Sequence, residues 1–128
     1  MSEVLILPKT RIMRQKMDRI KIYAGGREIT CDIYEAKTFW QRFSGLMLKS
    51  RKYGLLINGC SSVHTFFMKF ELDVICLDKD YKIVKVLFAV KPFKTVFGSL
   101  AVKHILELPA GCCGTDILKP EIQLEIVK

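Results

Sequence analysis

The sequence predicts a mainly β fold, an antiparallel β-sandwich or squashed barrel with one short α-helix near residues 38–48. Three observations carry this. Apolar residues alternate with polar ones in short runs of period two. Glycine- and aspartate-rich turn chemistry separates those runs at regular intervals. Only one segment of the 128 residues repeats its apolar positions at helical spacing.

Residues 1–17 form a basic lead-in with little pattern. From Arg19 the alternation begins, with Ile20 and Ile22 set between charged or polar neighbours. Gly25-Gly26 follows, and then Ile29, Cys31 and Ile33 alternate with Glu28, Thr30 and Asp32. Two such runs joined by Gly-Gly read as a hairpin with a primed two-residue turn, because both turn residues need positive φ. Thr38 and Gln41 have capping-box spacing, and Phe39, Phe43, Leu46 and Met47 then share one helical face. Gly45 weakens that helix but permits close packing against a sheet. Gly54–Asn58 is a short apolar strand, and Gly59 to Ser62 is a turn. Phe66 to Phe70 and Leu72–Leu77 read as strands. Asp78 to Tyr81 is a tight turn, and a return strand starts at Ile83. Lys91 to Gly98 reads as a loop because Pro92 cannot donate to a ladder. Ala101 to Leu108 and Ile122 to Val127 are the last strands, with a Gly/Cys/Pro loop between them. The expected organisation is a lead-in over residues 1–17 and a single domain over residues 18–128.

Composition narrows the function classes. Half the residues are apolar, so the chain has enough hydrophobic surface for a packed core. No apolar run reaches the roughly 18–20 residues that span a bilayer. Val4 to Leu7 is too short for a signal-peptide core, which predicts a cytoplasmic protein. The five cysteines are an odd number and read as reduced thiols, with Cys31 and Cys76 as small core residues of strands. Net charge is +8, and residues 1–21 hold six Lys/Arg against two Asp/Glu. Residues 9–21 therefore offer a surface for nucleic acid or an anionic membrane, but without interleaved aromatics or a nucleic-acid motif that partner is not the favoured one.

Five elements occur in a recognisable order. They are Phe43-Ser44-Gly45-Leu46-Met47, Gly54-Leu55-Leu56-Ile57, Thr65-Phe66-Phe67-Met68, Leu72-Asp73-Val74-Ile75-Cys76-Leu77-Asp78 and Leu106-Glu107-Leu108-Pro109-Ala110-Gly111. Over residues 28–127 the chain resembles the uncharacterised bacterial and archaeal DUF 192 family. The resemblance implies a compact all-β fold of jelly-roll-like character with one short helix. It implies no activity, cofactor or substrate. Where many members of that family place Gly-Asp after the last loop, this chain has Lys119-Pro120-Glu121.

Polar residues inside the apolar stretch from Val63 to Asp78 mark where chemistry can sit, because an unpaired buried polar group costs roughly 1–3 kcal/mol. Cys60, His64 and Asp73 are the residue types of a thiol hydrolase, although no nucleophile motif surrounds Cys60. Cys60 and His64, with Cys112 and Cys113, are metal-ligand types whose spacing does not match a zinc signature, so no metal or cofactor is expected. Asp73 is expected to satisfy backbone N–H groups at a kink. Glu107, flanked by leucines, is expected to point outward, and His104 to be an ordinary sheet-face residue. Trp40 lies off the apolar helix face, where it and Arg42 can rim a ligand. The favoured reading is a non-enzymatic module binding a protein or small-molecule partner through Trp40, Arg42, His64, Thr65, Asp73 and Glu107. The alternatives are a hydrolase using Cys60 or buried carboxylates, and an electrostatic adaptor to nucleic acid or membrane.

Overall fold

The alternating runs become strands of one curled sheet. A computed structural model describes residues 18–36, 53–64, 71–91, 95–97 and 99–128. The expected helix near residues 38–48, the lead-in and the expected strand over residues 66–70 lie outside the described residues. Ten strands occur within them: β1 (Asp18–Ala24), β2 (Arg27–Glu28), β3 (Ile33–Ala36), β4 (Gly54–Asn58), β5 (Ser62–His64), β6 (Leu72–Leu77), β7 (Ile83–Val90), β8 (Thr95–Phe97), β9 (His104–Pro109) and β10 (Leu124–Val127).

Eight of these form one sheet in the order β10-β1-β3-β4-β9-β6-β7, with β2 paired to β1. All its pairs are antiparallel except β3 with β4. That exception is a parallel pair the alternation could not reveal, since its crossover runs through residues 37–53. The two ends of the sheet meet. Ile83 N–H donates to the Ile122 carbonyl at 2.9 Å, and Glu121 N–H to the Ile83 carbonyl at 2.8 Å. A bridge pairs Lys82 with Gln123. The sheet is therefore a half-barrel, curled until its first and last strands touch.

Gly25 and Gly26 both adopt positive φ, at 58° and 84°, which is the primed turn the sequence predicts. The return arm differs from expectation. It breaks after β2 and resumes as β3, so Cys31 lies in a half-exposed bend rather than a strand. The segment read as a loop after Lys91 contains β8, which pairs with β5 as a separate ribbon. Three residues are too few for a period to register.

Both faces of the large sheet are covered. Ile20, Ile22, Ile33, Leu56, Ile75 and Leu106 fill the inner face. Leu55, Ile57, Val74, Cys76 and Ile105 form a second core on the outer face. This explains why β6, with six buried residues, reads as an unbroken apolar run.

Candidate functional site

A half-barrel interior should be apolar, yet its His104 end carries a row of polar side chains. Asn58 ends β4 and pairs directly with His104, which opens β9. Glu35 on β3 faces the same side. Asn58 Nδ2 donates to Glu35 Oε2 at 2.6 Å, and Tyr81 Oη donates to Asn58 Oδ1 at 2.6 Å. Lys128 Nζ sits 3.2 Å from the same Glu35 Oε2. The Tyr81 ring stacks on the His104 ring, with centroids 4.3 Å apart and planes 10° from parallel. The row thus runs Lys128, Glu35, Asn58, Tyr81, His104 across three strands and the β6–β7 turn.

Local geometry positions each member. Asp78 Oδ1 accepts from the backbone N–H groups of Asp80 and Lys82 and closes the β6–β7 turn. Those bonds, the one from Lys82 foremost, hold the Asp78 carboxyl below the usual range. The turn then throws Tyr81 into the left-handed region at φ 66°, a strained conformation for an aromatic residue. His104 Nδ1 accepts from the Gly59 N–H at 3.1 Å. Burial lowers the His104 pKa, opposed by a hydrogen bond to the Lys79 carbonyl and by the charge of Asp78. With Nδ1 accepting from Gly59 and the ring bonded to the Lys79 carbonyl, His104 staples the β4–β5 turn to the β6–β7 turn. Burial, with Glu35 beside it, raises the Tyr81 pKa and keeps the phenol a donor.

Glu35 is the least satisfied member. Its residue is 4% exposed. Oε2 holds both Asn58 and Lys128, whereas the buried Oε1 has no hydrogen-bond partner among the described residues. Each end of the row reaches a groove. At the Lys128 end, Arg19, Ile20, Lys21, Val127 and Lys128 line one of about 580 Å³. At the His104 end, Gly59, Cys60, Ser61, Val102, Lys103 and His104 line one of about 270 Å³.

The residues singled out from sequence do not share one place. Trp40, Arg42 and Thr65 lie outside the described residues, and of His64 only the backbone, in β5, is described. Asp73 is 1% exposed. Its Oδ1 accepts from Ala89 N–H at 2.8 Å and its Oδ2 from Gly111 N–H at 3.1 Å. The Ala89 bond has a structural cause. The β6–β7 register shifts between Leu72 and Val74, and Ala89 takes φ 53° at that bulge. Cys60 stands beside Lys103, whose carbonyl accepts its N–H, whereas Asp73 pairs with Leu108. Five residues of strand separate those points, about 17 Å. Cys60 and Asp73 are thus not brought together, nor does Cys60 meet Cys112, which follows the far end of β9. Among the described residues no group of three His, Cys, Asp or Glu could hold a metal ion. The Cys112 thiol instead lies 3.1 Å from the thiol of Cys31.

Glu107 corrects an expectation. It is fully buried rather than outward-facing. Alternation does turn it away from Leu106 and Leu108, but the outer face carries a core of its own, so outward is not solvent. Sequence reasoning missed Glu35, Asn58 and Tyr81 altogether. The one available signal was polar residues standing at inward positions of Ile-Tyr-Glu-Ala and Leu-Leu-Ile-Asn.

A curled β half-barrel with a polar row across one end defines the class of protein. The chain belongs to the DUF192 family, described as "Uncharacterized ACR", whose profile matches residues 20–126. A UPF0127 protein of Pyrococcus horikoshii is 34% identical over 94 residues, covering 67% of this chain and 77% of the relative. A UPF0127 protein of Thermococcus sibiricus is 35% identical over 108 residues, covering 79% and 68%. A crystal structure of a Sinorhizobium meliloti protein, provisionally called a transcription regulator, shares the fold with a TM-score of 0.70 at 22% identity, covering 85% of this chain and 92% of that one. A Novosphingobium aromaticivorans protein of unknown function matches with a TM-score of 0.67 at 14% identity, covering 85% and 84%.

Proposed function

We propose that the protein is a non-enzymatic binding module that takes a small organic anion in the groove beside β1 and β10. The observation that carries this is a groove walled by Arg19, Lys21 and Lys128, the last held 3.2 Å from the buried Glu35 carboxylate behind it. Arg19, Lys21 and Lys128 surround the apolar Ile20 and Val127, with Arg19 also paired to Asp32 and Lys128 to Glu35, and the volume suits a small molecule. The expected ligand is therefore a small anion with an apolar portion.

The binding reading is supported against the hydrolase by how the other groups are used. Both Asp73 oxygens hold main-chain N–H groups. His104 shares the smaller groove with Cys60, but its Nδ1 accepts from Gly59 and it also bonds the Lys79 carbonyl. We place the role in the cytoplasm, a reading supported by five cysteines that stand as thiols. No helix of the described residues is long and apolar enough to cross a membrane.

Thermal shift against small hydroxy- and amino-carboxylates and phosphate monoesters tests the proposal. At least one compound should raise the melting temperature. Lys21→Ala should weaken that binding about tenfold, the value of one lost charge-assisted contact. Stabilisation by none of them would reject the ligand. Salt-sensitive binding of duplex DNA that survives Glu35→Gln would transfer the role to the electrostatic adaptor.

A further inference from the structure

A second cluster lies towards the other end of β9 from His104. Cys31, in the bend between β2 and β3, and Cys112, in the turn after β9, are 81 residues apart in sequence. Their sulfurs are 3.1 Å apart, with the Cys112 S–H directed at Cys31. The turn is held in place on its own account, because Asp73 binds the Gly111 N–H and the Cys112 N–H donates to the Pro109 carbonyl. Both thiols are half-exposed, so a small reagent can reach them. A disulfide needs sulfurs about 2 Å apart, so closure moves the two groups together by about 1 Å.

We infer that Cys31 and Cys112 form a reversible dithiol–disulfide couple that is oxidised by a low-molecular-weight disulfide. Cys31 acts as the attacking thiolate, because the donated S–H of Cys112 favours its charged form and lowers its pKa. It attacks one sulfur of the small disulfide. The new S–S bond forms as the old one breaks, and one small thiolate leaves and takes a proton. Cys112 then gives up its proton and attacks the Cys31 sulfur, and the second small thiolate departs. The protein loses two protons and two electrons, and the small disulfide takes up both and becomes two thiols. The proton retained on Cys112 before that step is the counterpart of the Cys31 thiolate, and burial adds to it. Cys113 cannot replace Cys31 without a strained ring between adjacent residues. Cys76 is fully buried and Cys60 stands at the opposite end of β9.

The full chain is incubated with oxidised glutathione, quenched in acid and digested without reduction. The expected product has lost two hydrogens, carries no glutathione and yields one linked peptide pair joining Cys31 to Cys112. Because the bond closes a long loop of the unfolded chain, the melting temperature should rise by at least about 5 °C. Cys112→Ser should retain a single glutathione on Cys31, since nothing resolves it. A link between Cys112 and Cys113, glutathione persisting on Cys31 of the unsubstituted protein, or even labelling of all five thiols would overturn the inference. So would no reaction.

Discussion

Asp73 shows how one side chain can decide a local structure. The bulge in β7 takes the Ala89 N–H out of the ladder, and the turn after β9 leaves the Gly111 N–H pointing inward. One carboxylate answers both. Asp73→Ala should cost about 3 kcal/mol, the sum of two charge-assisted bonds lost and two donors left buried. The urea midpoint measures this, and a change below about 1 kcal/mol would remove Asp73 from the scaffold. His104 acts through its proton. The folded ring has a pKa below its ordinary value of 6.5, so unfolding takes up a proton in the window below about 6.5. Stability is complete above that pH and declines as pH falls through the window. His104→Gln should abolish this slope, seen by comparing midpoints at about pH 7.5 and about pH 5.5. Thiol reactivity follows the same reasoning. Iodoacetamide at neutral pH should modify Cys31 first and Cys76 last, since burial raises the Cys76 pKa and blocks access. A faster Cys60 would revive the hydrolase.

At the scale of elements, β4 shows how close the strands lie. Gly54 opens it beside β3 and β9, and a Cβ there would stand 2.7 Å from Leu108 Cδ2 and 3.0 Å from the Glu107 carbonyl oxygen. The first contact can relax but the backbone one cannot. Gly54→Ala should therefore destabilise by about 1–3 kcal/mol despite the better strand and helix propensity of alanine. Thermal unfolding of the variant checks it, and an unchanged melting point would mean that the strands can separate. The strand–turn–strand units were legible in sequence wherever a turn had its own chemistry. Gly25-Gly26 and Asp78 to Tyr81 are such turns, and Gly54–Asn58 and Leu72–Leu77 begin and end where the apolar runs do. β8 was not legible, because Thr95, Val96 and Phe97 have no turn partner nearby and pair with β5 across thirty intervening residues.

Over the whole molecule, β9 and β6 are interior strands paired on both sides, and β5–β8 forms a ribbon apart from the sheet. Amides of β6 and β9 should exchange most slowly with deuterated water, and those of β5 and β8 much faster, since two strands alone are marginally stable. Equal protection would show that the ribbon belongs to the same cooperative unit. The same layout sets His104 and Cys112 towards opposite ends of β9, while the Arg19–Asp32 pair links the groove to the bend that holds Cys31. Glu121 adds a detail of closure. It takes φ 76° where it donates to Ile83, a conformation glycine would hold without strain.

The amino-acid order by itself determined that this protein is built of short strands, the bounds of those flanked by clear turns such as Gly54–Asn58 and Leu72–Leu77, and that its family is DUF192, because period-two burial and turn chemistry act between near neighbours. Tertiary structure alone decided that Glu35, Asn58, Tyr81 and His104 share a row and that Cys31 meets Cys112. Those contacts join residues between 23 and 81 positions apart. They exist only because the sheet curls and its ends meet, and no local spacing encodes that curvature.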